Sequence, residues 1–181
     1  MIHEGDLLLT GLTSLSDAAA ESLSKHKGNL DLSGLTSLSD AAAESLSKHE
    51  EDLDLNGLTS LSDTAAESLS KHEGALQLTG LTSLSDAAAE SFSKHDGWLG
   101  LFGLTSLSEA AVESLSEHQG ELKLTLDGLP ESVAQSFRDC KANVELREVW
   151  NAYQQQKPGA DSADFAAGYN AAKKTVSIWH Q

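Results

Sequence analysis

In residues 29–35, NLDLSGL, apolar and polar positions alternate strictly, and in residues 39–49, SDAAAESLSKH, alanines and a leucine recur three and four apart. The first pattern is that of a strand and the second that of a short helix. Ser39 is a good N-cap, and Asp40 places a negative charge at the positive helix end. Lys48 and His49 fall at the other end, where cations are favoured. In most copies a glycine, such as Gly28, follows the histidine by two residues and reads as a helix stop. Leu30, Leu32, Leu35, Leu38 and Leu46 are predicted to point inward, with Ala42 and Ala43 on the face of Leu46.

This strand-then-helix pattern repeats. GLTSLSDAAAESLSKH is identical at residues 11–26 and 34–49, and near-copies begin at Gly57, Gly80 and Gly103. The five glycines are 23 apart; the next match, Gly128, follows after 25, which places two added residues near Glu121 and Leu122. One strand and one ten-residue helix cannot bury a core alone, but stacked copies can. A fixed period and a regular leucine pattern argue against low-complexity disorder. Twenty-three residues are few for two helices, which argues against an all-helical solenoid.

LDLSGLTSL at residues 30–38, with equivalents through residues 7–107, resembles the leucine-rich repeat, in a 23-residue, bacterial-type variant. The usual corner Asn is replaced by Leu35 and its equivalents, and Thr36 or Ser37 is expected to take over its hydrogen bonding. The resemblance implies an α/β solenoid over residues 1–140. About six parallel strands would form its concave face and short helices its convex face.

The remaining residues, 141–181, differ in composition and hold Trp150, Tyr153, Phe165, Tyr169 and Trp179. They are expected to form a helical pair, either capping the last coil or standing as a separate interaction module. At the other end the chain starts within a unit, without a polar cap. Leu7 and Leu9 then line an open coil, expected either to continue an upstream unit or to self-associate.

Composition narrows the function. The net charge is −16, and all of it lies in residues 1–128, where 22 acidic residues face 6 basic ones. Such a surface repels nucleic acid and anionic membranes; it also keeps a Ser-rich repeat soluble. The single cysteine, Cys140, excludes an intrachain disulfide framework. With no signal-like start and no apolar run of membrane-spanning length, the expected location is cytoplasmic.

Catalysis finds little support. Ser, Asp and His recur in the units, but as helix start and helix end, without the geometry that defines a triad. The column His3, His26, His49, His72, His95 and His118 offers one imidazole per unit and no adjacent second ligand, so neither metal nor cofactor is expected. Closely stacked histidines would make stability fall in acid.

The copies differ mainly at the outward strand positions. Aligned on the marker glycine, the first row reads Asp6, Asn29, Asp52, Ala75, Trp98, Lys123. The second reads Leu8, Asp31, Asp54, Gln77, Gly100, Thr125, and the third Thr10, Ser33, Asn56, Thr79, Phe102, Asp127. The competing explanation is that exposed positions simply tolerate change. The expected function is a non-enzymatic recognition scaffold, with a basic or mixed protein partner bound by Asp31, Asp54, Asn56, Gln77, Trp98, Gly100, Phe102 and Thr125. The alternative is a structural role through the open first coil. Gly100 is expected to leave a slot between the Trp98 and Phe102 rings, unless those rings fold against residues 142–181.

Overall fold

The computed structural model describes residues 5–118, 120–125 and 129–138. The chain divides into Met1–Cys140 and Lys141–Gln181, and every described residue lies in the first. The expected C-terminal helical pair therefore lies outside the described residues.

Strand and helix alternate along the chain. The order is β1 (Leu7–Leu8), α1 (Asp17–Leu23), β2 (Leu30–Asp31), α2 (Asp40–Leu46), β3 (Leu53–Asp54), α3 (Asp63–Leu69), β4 (Leu76–Gln77), α4 (Asp86–Ser93), β5 (Leu99–Leu101), α5 (Glu109–Ser116) and β6 (Leu122–Leu124). A further helix, α6, covers residues 131–138. The six strands form one open parallel sheet in the order β1-β2-β3-β4-β5-β6. Each strand thus pairs only with the preceding and following units, as a solenoid of stacked coils requires.

Helices α1 to α5 each start on a serine. Ser16, Ser39, Ser62, Ser85 and Ser108 have extended backbones, and their hydroxyls accept the N–H of the alanine three residues on. That is the geometry by which a side chain satisfies an orphan helix donor. The helices end sooner than the sequence pattern suggests. α2 stops at Leu46, with no basic residue in its last turn. Lys48 instead bridges to Glu44 at 3.2 Å on the exposed face, and His49 turns inward, 2% exposed.

The core runs along the stack. Leu32, Leu35, Ala42, Ala43, Leu46, Leu53, Leu55 and Leu58 are fully buried. The second corner leucines, Leu38, Leu61 and Leu84, are only partly buried, because they lie at the margin where the coil turns into its helix. The corner itself is closed by backbone rather than by Thr36 or Ser37. The N–H of Leu35 donates to the Leu32 carbonyl at 3.0 Å, and Leu12, Leu58 and Leu81 make the same turn.

The marker glycines have a packing role. A Cβ at Gly34, Gly57, Gly80 or Gly103 would collide with the carbonyl oxygens of Thr10, Ser33, Asn56 and Thr79 respectively, each in the preceding coil. A Cβ at Gly11, in the first coil, meets nothing within 4 Å among the described residues. The invariant glycine is therefore set by the approach of two backbones, not by local conformation.

Polar side chains also tie the coils. The N-cap hydroxyls of Ser39, Ser62, Ser85 and Ser108 donate to Asp17, Asp40, Asp63 and Asp86 of the preceding helix. One serine thus caps its own helix and holds its neighbour. The first helix residue, read from sequence only as a favourable charge, is the acceptor of this ladder.

Gly57→Ala should lower stability by roughly 1–3 kcal/mol, the usual cost of forcing atoms into a packed interior. Gly11→Ala should change it by no more than about 0.5 kcal/mol. Urea midpoints of the two variants measure the difference; equal midpoints would show that the glycines are not contact points between coils.

Candidate binding face on the sheet

The outward positions of β2 to β5 form a polar strip that becomes aromatic. Asp31 and Asp54 are paired in register on neighbouring strands, as are Asp54 and Gln77, and Gln77 and Gly100. Adjacent strands lie about 4.8 Å apart, so the two carboxylates are side by side. Like charges directly opposite in a sheet are destabilising. Partial burial, followed by the Asp31 charge, pushes the Asp54 carboxyl up, against the lowering influence of its hydrogen bonds from Asn56.

The strip is ordered by its own hydrogen bonds. Asp31 Oδ1 accepts the N–H of Ser33 at 3.0 Å, and Asp54 Oδ1 accepts that of Asn56 at 2.9 Å. Asn56 donates from Nδ2 to Gln77 Oε1 at 3.3 Å and accepts the Thr79 N–H at 2.9 Å. Asn56 is thus a positioning residue within the strip. The first outward row has a similar task. Asp6, Asn29 and Asp52 accept the backbone N–H of Asn29, Asp52 and Ala75 in the next coil. These short polar side chains hold coil to coil, a role their outward position did not disclose. The ladder ends at Ala75, which has no acceptor to offer Trp98.

Trp98 and Phe102 share a face, with ring centroids 6.2 Å apart and planes tilted by 45°. Phe102 is 44% exposed, and Trp98 is half-buried. The slot expected between them is filled. A Cβ on Gly100 would lie 2.5 Å from Trp98 Cη2 and 3.5 Å from Phe102. The indole therefore rests on the bare backbone of Gly100, which is itself buried. The result is a low aromatic ridge rather than a cleft. The alternative in which the rings fold against residues 142–181 lies outside the described residues.

Thr125 does not sit beside Gly100. β5 and β6 pair Leu99 with Leu122, Gly100 with Lys123 and Leu101 with Leu124, so the 23-residue register persists through β6. The two added residues fall after Leu124, not near Glu121 and Leu122. Because the insertion lies between β6 and Gly128, only the last member of each outward row is displaced. Lys123, half-exposed and bridged to Glu121 at 2.9 Å, is the true neighbour of Gly100. Thr125, partly buried, follows β6.

No family model matches this chain, and no curated protein matches it. The candidate face therefore rests on the repeat geometry. Among the described residues, no three His, Cys, Asp or Glu side chains form a group that could hold a metal ion. Nor is any described helix long and apolar enough to cross a membrane.

Gly100→Ala should dislodge the indole. In a Trp150→Phe, Trp179→Phe background the remaining Trp98 emission should shift to the red as the ring enters water. An unchanged spectrum would show that the indole does not lie on Gly100.

Proposed function

We propose that the chain is a leucine-rich-repeat protein that recognises another protein through its sheet face, without catalysing a reaction. The observation that carries this reading is a mismatch between exposure and change. Thr13, Ser14 and Glu21 and their equivalents in the next four units are exposed, yet identical in all five copies. Asp31, Ser33, Asp54, Asn56, Gln77 and Thr79 are less exposed, yet these rows differ from coil to coil. If exposed positions merely tolerated change, the most exposed ones would have changed most. Exposed turn positions such as Lys27, Glu50, Glu73 and Asp96 do change, but exposure alone does not account for change in the half-buried second and third outward rows. That favours selection on the sheet face, the face that solenoids offer to partners.

The chemistry of the face suits a partner segment that is basic at one end and apolar at the other. Asp31 and Asp54 supply adjacent negative charge that is unfavourable without a cation. Trp98 and Phe102 supply large apolar surface with a polar surround, the anatomy of an interface hot spot. Asp54 lies two strands from Gly100, so the two features are about 10 Å apart, within reach of three extended residues.

The test is quantitative capture with the wild type, a Trp98→Ala/Phe102→Ala variant, an Asp31→Asn/Asp54→Asn variant and a helix-face control, Glu44→Gln/Glu67→Gln. A partner retained by wild type and control should lose about 2 kcal/mol or more of affinity, roughly thirtyfold, to the aromatic variant. The Asp variant should bind more weakly while unfolding no more easily, since it relieves a like-charge pair. A partner lost only by the helix-face control would defeat the reading.

A second reading, assembly through the first coil, is favoured by one observation. Leu9, Leu12, Leu15, Ala19 and Leu23 line an apolar recess of about 560 Å3, and Leu8 is 70% exposed. If that coil pairs with another molecule, sedimentation equilibrium should show mass rising with concentration, and Leu8→Lys should abolish the rise. A constant monomer mass would remove this reading and leave the first intact.

A further inference from the structure

A column of imidazoles runs inside the stack. His49, His72 and His95 each follow a helix and are 2%, 2% and 0% exposed. Their ring centroids are 6.3 and 6.5 Å apart, with planes within 4° of parallel. The column continues to His118 at 6.1 Å, whose Nδ1–H donates to the Phe92 carbonyl at 3.0 Å. At His49, His72 and His95, by contrast, neither ring nitrogen makes a well-aligned hydrogen bond among the described residues, although backbone groups of the same and the preceding coil lie close enough to favour the charged ring. His26, in the first coil, is different again: it is only partly buried, and its Nε2–H donates to the Gly5 carbonyl at 2.7 Å.

Parallel planes cannot direct in-plane lone pairs to one shared ion, and they cannot hydrogen-bond to each other. The column is therefore a buried polar filler that carries latent charge. Gly74 and Gly97 lie directly against it: a Cβ there would sit 2.9 Å from Nε2 of His72 and of His95. No side chain intervenes between these imidazoles and the backbone they cover.

We propose that His49, His72 and His95 form an acid-operated release for the coil stack: protons enter only as neighbouring coils separate, so mild acid opens the solenoid cooperatively. The groups facing each ring set the balance. His49 faces the backbone of Ser24 and Gly28, His26 and Glu51. His72 faces both neighbouring imidazoles, the His49 backbone and Asp52. His95 faces His118 and the backbone of Trp98, Ser70 and His72. Nearby helix charges are paired at the surface as Glu44–Lys48, Glu67–Lys71 and Glu90–Lys94, and Lys27 bridges Glu50. Glu73 and Asp96 line the outer groove.

Desolvation outweighs these anions. It holds all three imidazoles below the ordinary histidine value, with the neighbouring imidazoles adding to the shift, and pushes His72 down to about 4. A folded value below the unfolded one means that the unfolded chain binds more protons. Stability is thus complete above about pH 6.5 and is lost as pH falls from there toward the folded value. Each imidazole kept neutral contributes on the order of tenfold to the unfolding constant per pH unit in that window. The proposal is independent of the recognition role.

The experiment is urea unfolding of the full chain, followed by circular dichroism, at steps from pH 7.5 to pH 5, together with histidine-resolved NMR of the folded protein. The unfolding constant should rise by on the order of a hundredfold or more across that range. The His49, His72 and His95 imidazoles should remain neutral in the folded chain at pH 5.5, and the pH slope between pH 7.5 and 5.5 should be several-fold smaller in His49→Leu/His72→Leu/His95→Leu than in the wild type. A flat midpoint in the wild type would overturn the proposal. So would column rings that titrate near pH 6.5 while the chain stays folded, whether or not the triple variant folds.

Discussion

The structure depends on the close stacking of one coil upon the next. No unit has a core of its own; two short elements and four or five leucines are buried only because the neighbouring copies cover them. Full burial of a leucine is worth about 1.5–3 kcal/mol, and in the middle coils the same inward positions are closed off from both sides. The distance of approach is set where the backbones touch, at Gly34, Gly57, Gly80 and Gly103. Everything else in the coil must fit that separation: alanine rather than leucine where helices meet, and a strand pair in register at a strict 23 residues.

Within that spacing, polar groups are used in two contrasting ways. Along the helix starts and the strand edge they are satisfied by the next coil. Ser39 reaches Asp17 and Asp52 supports Ala75; the serine ladder recurs through Ser108, and the strand-edge ladder runs from Asp6 to Ala75. Such hydrogen bonds are worth about 0.5–1.5 kcal/mol each, but they also fix register, since a slip by one coil position would break all of them together. The imidazole column does the opposite. His49, His72 and His95 fill space that leucine could fill, and they do so without a well-aligned hydrogen bond. A sequence selected only for stability at all pH values would have no reason to keep them.

The sheet face is where the repeat stops repeating. Its acidic pair, its amide link through Asn56 and Gln77, and its aromatic ridge on Gly100 are distinct chemical features laid on identical backbone positions. The stack supplies rigidity, so differences between copies become a fixed spatial pattern of charge and apolar surface. The proposed recognition role uses that pattern. The Asp31–Asp54 pair is unfavourable by itself, as expected of a site arranged for a partner rather than for the fold alone.

The architecture was legible in the sequence because it is local and periodic. Strand alternation, the serine cap, the alanine face and the 23-residue period each follow from short stretches, and together they dictate an α/β stack with one parallel sheet. The outward rows were legible for the same reason, since a strand sends alternate side chains to opposite faces. What only the tertiary structure decided lies between coils. Whether His49 ends a helix or enters the core depends on the coil beneath it, and burial won over the helix-end charge interaction. Whether Gly100 leaves a slot depends on where Trp98 lies, and an indole beside a bare backbone folds down onto it. Lys123 rather than Thr125 flanks Gly100 because strand pairing, not the next marker glycine, sets the register. Residues 23 apart in sequence are adjacent in space, and their contacts are fixed by the stacking distance, a quantity that no single unit encodes.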